Sequence, residues 1–151
     1  MGHAVRLTYH LRPYLADYLV HRYGALTNGL PDNWRCEEVP LVLWVNCTVS
    51  PRAPHQHHAE KFARERRAYP ITISARRSRR LGYARHVSMH GLRNFERLVY
   101  QQLIHELVAH ISAHRRHRVE TLAVIIDFMI TNGISPHHID AEDLQRVVRK
   151  V

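Results

Sequence analysis

The sequence predicts an α+β fold: a small β-containing N-terminal half, of about three strands plus a helix, and an α-helical C-terminal half. Three observations lead there. Residues 5–11 alternate apolar with polar side chains, residues 92–111 repeat apolar side chains at helical spacing, and the strand candidates are too few for a sandwich. With 151 residues, 45% of them apolar, the chain suits one compact domain with a real core and is not disordered throughout. Residues 1–57 would form the β-containing part, 58–87 a basic bridge and 88–151 the helical part.

Val5, Leu7, Tyr9 and Leu11 alternate with Arg6, Thr8 and His10, as in a half-buried strand. Pro13 fits a first helical turn, Leu15, Tyr18, Leu19 and Tyr23 follow at helical spacing, and Gly24 suits the C-terminal cap. Residues 25–38 are rich in turn formers. The run Leu41–Val49 is short, β-branched and aromatic, which predicts a buried strand. A short charged helix is expected over 58–67, and a third strand over Tyr69–Ser74, at an edge because of Pro70. Ser74 would cap a helix covering 75–86 and Ser88 the next one, whose stripe is Leu92, Phe95, Val99, Leu103, Leu107 and Ile111. Val119–Thr131 is apolar nearly all round, so a helix central to the core is expected, stopped by Asn132-Gly133. A last helix is capped by Ser135 with Pro136 or by Asp140.

Charge is the strongest functional signal. Lys and Arg total 22, of which 20 are Arg, against 13 acidic residues. Eleven of those bases lie between Lys61 and Arg97, opposed there only by Glu65 and Glu96, so this stretch carries +9 and the remainder is neutral. A general arginine bias would spread evenly, whereas a clustered cationic surface is what polyanion binding requires. Arg64, Arg66, Arg67, Arg76, Arg77, Arg79, Arg80 and Arg85 are the expected phosphate contacts, since guanidinium groups fork onto phosphate oxygens and stack on bases. Tyr69 and Tyr83 lie among them; as exposed rings they would stack on unpaired bases, but core positions are the simpler expectation.

Other motifs weigh less. The final two helices, with Asn132-Gly133-Ile134 between them, have the outline of a helix–turn–helix, and Arg146, Arg149 and Lys150 offer a secondary contact. Asp140, Glu142 and Asp143 would repel phosphate at the end that approaches bases, and a start at Asp140 makes the connection too long. An ordinary hairpin or a homodimer contact explains the same pattern. His105 and His110 resemble the zinc-protease helix motif, but they stand five positions apart instead of four, about 140° around a helix. Glu106, His110 and His114, with His117 nearby, share a face that could hold zinc or iron; structural histidines beside an apolar stripe are commoner, and neither metal nor cofactor is expected. Protonation of the fourteen histidines on mild acidification would add positive charge.

Catalytic signatures are missing from the sequence: it has no phosphate-cradling Gly-rich loop, CxxC pair or Gly-x-Ser-x-Gly elbow, so no enzyme is expected. Cys36 and Cys47 read as reduced thiols, and Asn46-Cys47-Thr48 as a chance glycosylation match. No apolar run approaches the ~20 residues of a membrane span. The opening MGHAVRLTYHLRPYL carries no secretory pattern, and a cytoplasmic location without membrane partners is expected.

Leu11-Arg12-Pro13-Tyr14-Leu15 leading to Arg22-Tyr23-Gly24, then Asn94-Phe95-Glu96-Arg97, then Phe128–Ser135 with Leu144-Gln145-Arg146, make the order of parts similar to one group of small basic proteins. These are proteins of bacteriophage-like and other mobile elements of anaerobic bacteria. The resemblance implies DNA in preference to RNA as partner and carries no catalytic residues with it. The expectation is therefore a non-enzymatic DNA-binding regulator or accessory factor of a mobile element. Its alternatives are an RNA or single-strand binder, a structural or assembly protein gripping an acidic partner, and a metal-dependent hydrolase.

Overall fold

Val5–Leu11 forms the expected strand, β1, and pairs antiparallel with Arg67–Ile73, here β3. The computed structural model describes residues 3–114 and 120–150. In the register Leu7 faces Ile71 and Tyr9 faces Tyr69, all buried, while Arg6–Thr72, Thr8–Pro70 and His10–Ala68 make the outer face. Thr72 N donates to Leu26 O (3.0 Å), on the edge away from β1. Pro70 is two residues earlier, so its missing N–H falls on that same outer edge and the β1–β3 ladder is intact.

Pro13 opens α1 (Pro13–Tyr23), which ends at Gly24 with φ 74°, as the cap reading requires. The next segment departs from expectation. Pro40–Thr48 is a helix, α2, and only Val49–Ser50 remains extended as β2. Leu41, Val42, Trp44, Val45 and Thr48 are buried while Leu43 is exposed, a helical pattern and not an alternating one. Pro40 at the helix start needs no N–H partner, and burial against α5 outweighs the modest β-propensity of valine and tryptophan. β2 pairs with β4 (His86–Val87), so the predicted three strands become two separate two-stranded sheets. The class stays α+β.

The charged helix, α3, spans Gln56–Ala63 and stops earlier than predicted, because Glu65 turns left-handed at φ 63° and Arg67 already belongs to β3. Ser74 does cap α4 (Ala75–Arg80), accepting a bond from Arg77 N. That helix is also shorter than predicted, closed by Gly82 and Tyr83, both at positive φ. Gly91 N donates to Ser88 Oγ (3.0 Å) at the start of α5, Met89–His114. Its whole predicted stripe from Leu92 to Ile111 is buried.

α5 is the axis of the core, touching α1, α2, α6, α7, β1 and β4. Phe95 stacks on Tyr9 with centroids 3.8 Å apart and meets Trp44 edge-on at 6.2 Å. Tyr9 in turn shares a hydrogen bond with Thr48 (2.8 Å), so the Thr48 hydroxyl is internal. α6 (Thr121–Thr131) buries Val124, Ile125, Phe128 and Met129 but leaves Ile126 and Ile130 exposed, so it is a flanking helix and not the centre expected. The reason is coverage: α5 and α7 lie against one side of α6 only. Val119 lies outside the described residues. α7 runs Ala141–Arg149 and is capped by Asp140, the later of the two expected starts.

Candidate nucleic-acid interface

The eight arginines expected to meet phosphate do not form one uninterrupted face. Arg66 lies against α5, its Nε and Nη2 donating to Glu96 at 2.9 and 3.0 Å and its guanidinium stacked 3.9 Å from the Phe62 ring centroid. Arg67 reaches Asp17 of α1 at 3.3 Å. Arg77 is held by Pro31 O (3.2 Å) and lies 3.9 Å from Asp32, its side chain only 12% exposed. Arg64, Arg76, Arg79, Arg80 and Arg85 are exposed and form no ion pair among the described residues.

α4 brings Arg76 and Arg80 onto one side, one turn apart, as the helical spacing predicts. There they line a cleft of about 710 Å³ with Arg35 and Arg77, opposite segment 32–38 and α2. The same cleft is also lined by Asp32, Glu37 and Glu38, so its cations stand beside carboxylates of their own chain. An anion entering it competes with those groups. Arg79 and Arg85 do not line the cleft.

A purer cationic surface flanks α3. On one side a groove of about 150 Å³ is bordered by Arg6, Thr8 and His10 from the outer face of β1, by Pro54 and Ala59, and by Arg85 and His86 at β4. On the other side a groove of about 400 Å³ is lined by His58, Lys61, Phe62, Arg66 and Arg93. Among the described residues no carboxylate lines either groove. The two adjoin, for Ala59 and His58 are consecutive on α3, and Leu92 and Arg93 on α5. Arg6, His10, His58, Lys61, His86 and Arg93 are the residues that sequence reasoning missed as contacts. Lys61 and Arg93 belong to the basic stretch, but Arg6 joins it only through the β1–β3 pairing of residues 66 positions apart in sequence.

His10 is half-buried, and its pKa is held below the ordinary value, first by loss of hydration and then by the Arg66 charge. The tyrosines divide. Tyr69 is buried, its hydroxyl donating to Gly24 O at 2.8 Å, and burial pushes its ionisation upward. Tyr83, expected in the core, is 65% exposed instead, at the left-handed turn formed by Gly82 and Tyr83.

At the C-terminus, Arg146 is engaged by Asp143 (2.7 Å), while Arg149 and Lys150 are exposed. Residues 132–140 separate α6 from α7, longer than the three to four residues of a helix–turn–helix connection. Glu142 and Asp143 occupy the first turn of α7. Glu106 is taken by Arg22 of α1 and Gln102, which separates it from His110 and His114; His117 lies outside the described residues. Among the described residues no helix is long and apolar enough to cross a membrane. Comparison of the chain with protein-family models, with curated proteins and with solved structures finds no match.

Proposed function

We propose that this chain is a non-enzymatic nucleic-acid-binding protein, a DNA-binding regulator or accessory factor of a mobile element. It grips the phosphate backbone along the cationic surface around α3. The observation that carries this reading is the pair of adjoining grooves, bordered by Arg6, His10, Arg85 and His86 on one side and His58, Lys61, Arg66 and Arg93 on the other, without a carboxylate in either lining. Phosphates there meet Arg6, Lys61, Arg85 and Arg93, which form no ion pair among the described residues, while Arg66 shares its charge with Glu96. Arg64, Arg79 and Arg80 extend the field, and the α4 cleft contributes less because of its own acids. Such contacts position a duplex and read little sequence.

Anisotropy titrations of a labelled duplex at several salt concentrations test the proposal. With about five phosphates neutralised, log affinity falls with log salt at a slope near −4.5. Exchanging Arg6, Lys61, Arg85 and Arg93 for Gln should weaken binding to all duplex sequences and flatten the slope by about one per lost contact. Exchanging Arg76, Arg77, Arg79 and Arg80 for Gln should do less. A slope near zero sinks the reading.

A second reading, binding of single strands or structured RNA, is favoured by one feature: the exposed Tyr83 ring, which follows Arg80 and precedes Arg85 in the chain. Stacking of a base on an aromatic ring is worth about 1–3 kcal/mol. Tyr83→Ala would then weaken single-strand binding by about tenfold while leaving duplex binding unchanged. Competition between duplex DNA and RNA of matched length separates the two.

A further inference from the structure

We propose that His110, His114 and Asp127 form a binding site for a late first-row divalent cation, zinc foremost, that ties α5 to α6. His110 and His114 lie one turn apart near the end of α5, their ring centroids 4.4 Å apart, and Asp127 reaches them from α6. One donor atom from each residue lies within 4.8 Å of the other two. His110 Nε2 and Asp127 Oδ2 are 3.1 Å apart. Two donors held about 2.0–2.1 Å from a tetrahedral zinc are separated by roughly 3.3 Å, so this pair already stands at coordinating distance. His114 offers the third donor, within 4.8 Å of the other two.

The tautomer of His114 fits the same purpose. Its Nδ1 lies 2.8 Å from the carbonyl oxygen of His110, which can only accept, so Nδ1 carries the proton and Nε2 keeps its lone pair. A backbone carbonyl orienting an imidazole in this way is the usual support of a metal-bound histidine. Two imidazoles and one carboxylate suit zinc, and disfavour calcium or magnesium, which take oxygen donors. The Asp127 side chain is 62% exposed, which leaves a fourth position open to water. A plain ion pair accounts for His110 and Asp127 but leaves the placement and tautomer of His114 without a role. Because the ligands come from two consecutive helices, the cation would act as a clip on the hairpin.

The test uses the full chain without an affinity tag, stripped with a chelator and titrated with zinc chloride by calorimetry and cobalt chloride by visible absorption. One equivalent should bind, with the cobalt bands of four- or five-coordination and a raised thermal midpoint. His114→Ala and Asp127→Asn, each verified as folded by circular dichroism, should weaken zinc binding at least tenfold and lose the thermal gain. His137→Ala should do neither. Absence of stoichiometric zinc binding by the unaltered chain, or wild-type affinity in Asp127→Asn and His114→Ala, overturns the site.

Discussion

Arg66 and Glu96 form a two-pronged ion pair, Nε to Oε2 at 2.9 Å and Nη2 to Oε1 at 3.0 Å, that fastens the residue before β3 to the N-terminal third of α5. The Glu96 side chain is 9% exposed and also accepts from Arg12 N at 2.9 Å. Arg66 is one of the eleven bases of the basic stretch and Glu96 one of its two acids. Removing one partner leaves the other poorly solvated, which costs more than the pair itself contributes. Glu96→Ala should therefore destabilise by about 2–4 kcal/mol in urea unfolding. Arg66→Met with Glu96→Met should recover part of that loss, since the Arg66 charge is no longer orphaned while Arg12 N still lacks its acceptor.

At Gly91 α5 packs closely on Thr48, the last residue of α2. A Cβ there would lie 2.3 Å from the carbonyl oxygen of Thr48 and 3.0 Å from Val87. Helix propensity alone favours alanine over glycine by about 1 kcal/mol. The contact is with backbone, which cannot rotate aside, and overpacking of this kind costs about 1–3 kcal/mol. Gly91→Ala should accordingly lower the thermal midpoint, and a raised midpoint would show that the two helices have room to separate.

His10 gives the fold a pH dependence of definite sign. Its folded-state pKa lies below the ordinary 6.5, mainly through desolvation and secondly through Arg66, so the unfolded chain takes up the proton first. The His10 contribution is complete above pH ~6.5 and is lost as pH falls through the folded-state value. Arg6, Arg85 and His86 border the same groove. The stability difference between the wild type and His10→Gln should shrink from pH 7.5 to 5.5; a difference that grows would contradict the assigned direction.

α2 offers a direct comparison between strand and helix. In a strand Leu43 and Val45 would share a face, yet Leu43 is 52% exposed and Val45 fully buried. Leu43→Gln should change stability by less than about 0.5 kcal/mol. Val45→Ala should cost about 1–3 kcal/mol. Equal losses would restore the strand.

Much of the architecture was legible along the chain, because it follows from local periodicity and capping. The alternation of Val5–Leu11, the proline at the start of α1, the Ser74 and Ser88 caps and the six-residue stripe of α5 all specify their elements within a few residues of themselves. The α2 segment was not legible in this way: a continuous apolar run has no period to read, and its state depends on what lies against it. The same holds for α6, where composition foretold a central helix and coverage by α5 and α7 on one side made a flanking one.

The candidate interface divides along the same line. By itself the sequence determined that the chain carries a +9 excess in one stretch, because net charge is a sum over residues and needs no fold. Which of those cations stay available was decided only by tertiary structure, since an ion pair is a matter of distance. Glu96, Asp17 and Asp32 approach Arg66, Arg67 and Arg77 across 30, 50 and 45 positions of chain, while pairing of β1 with β3 adds Arg6 to the cationic surface.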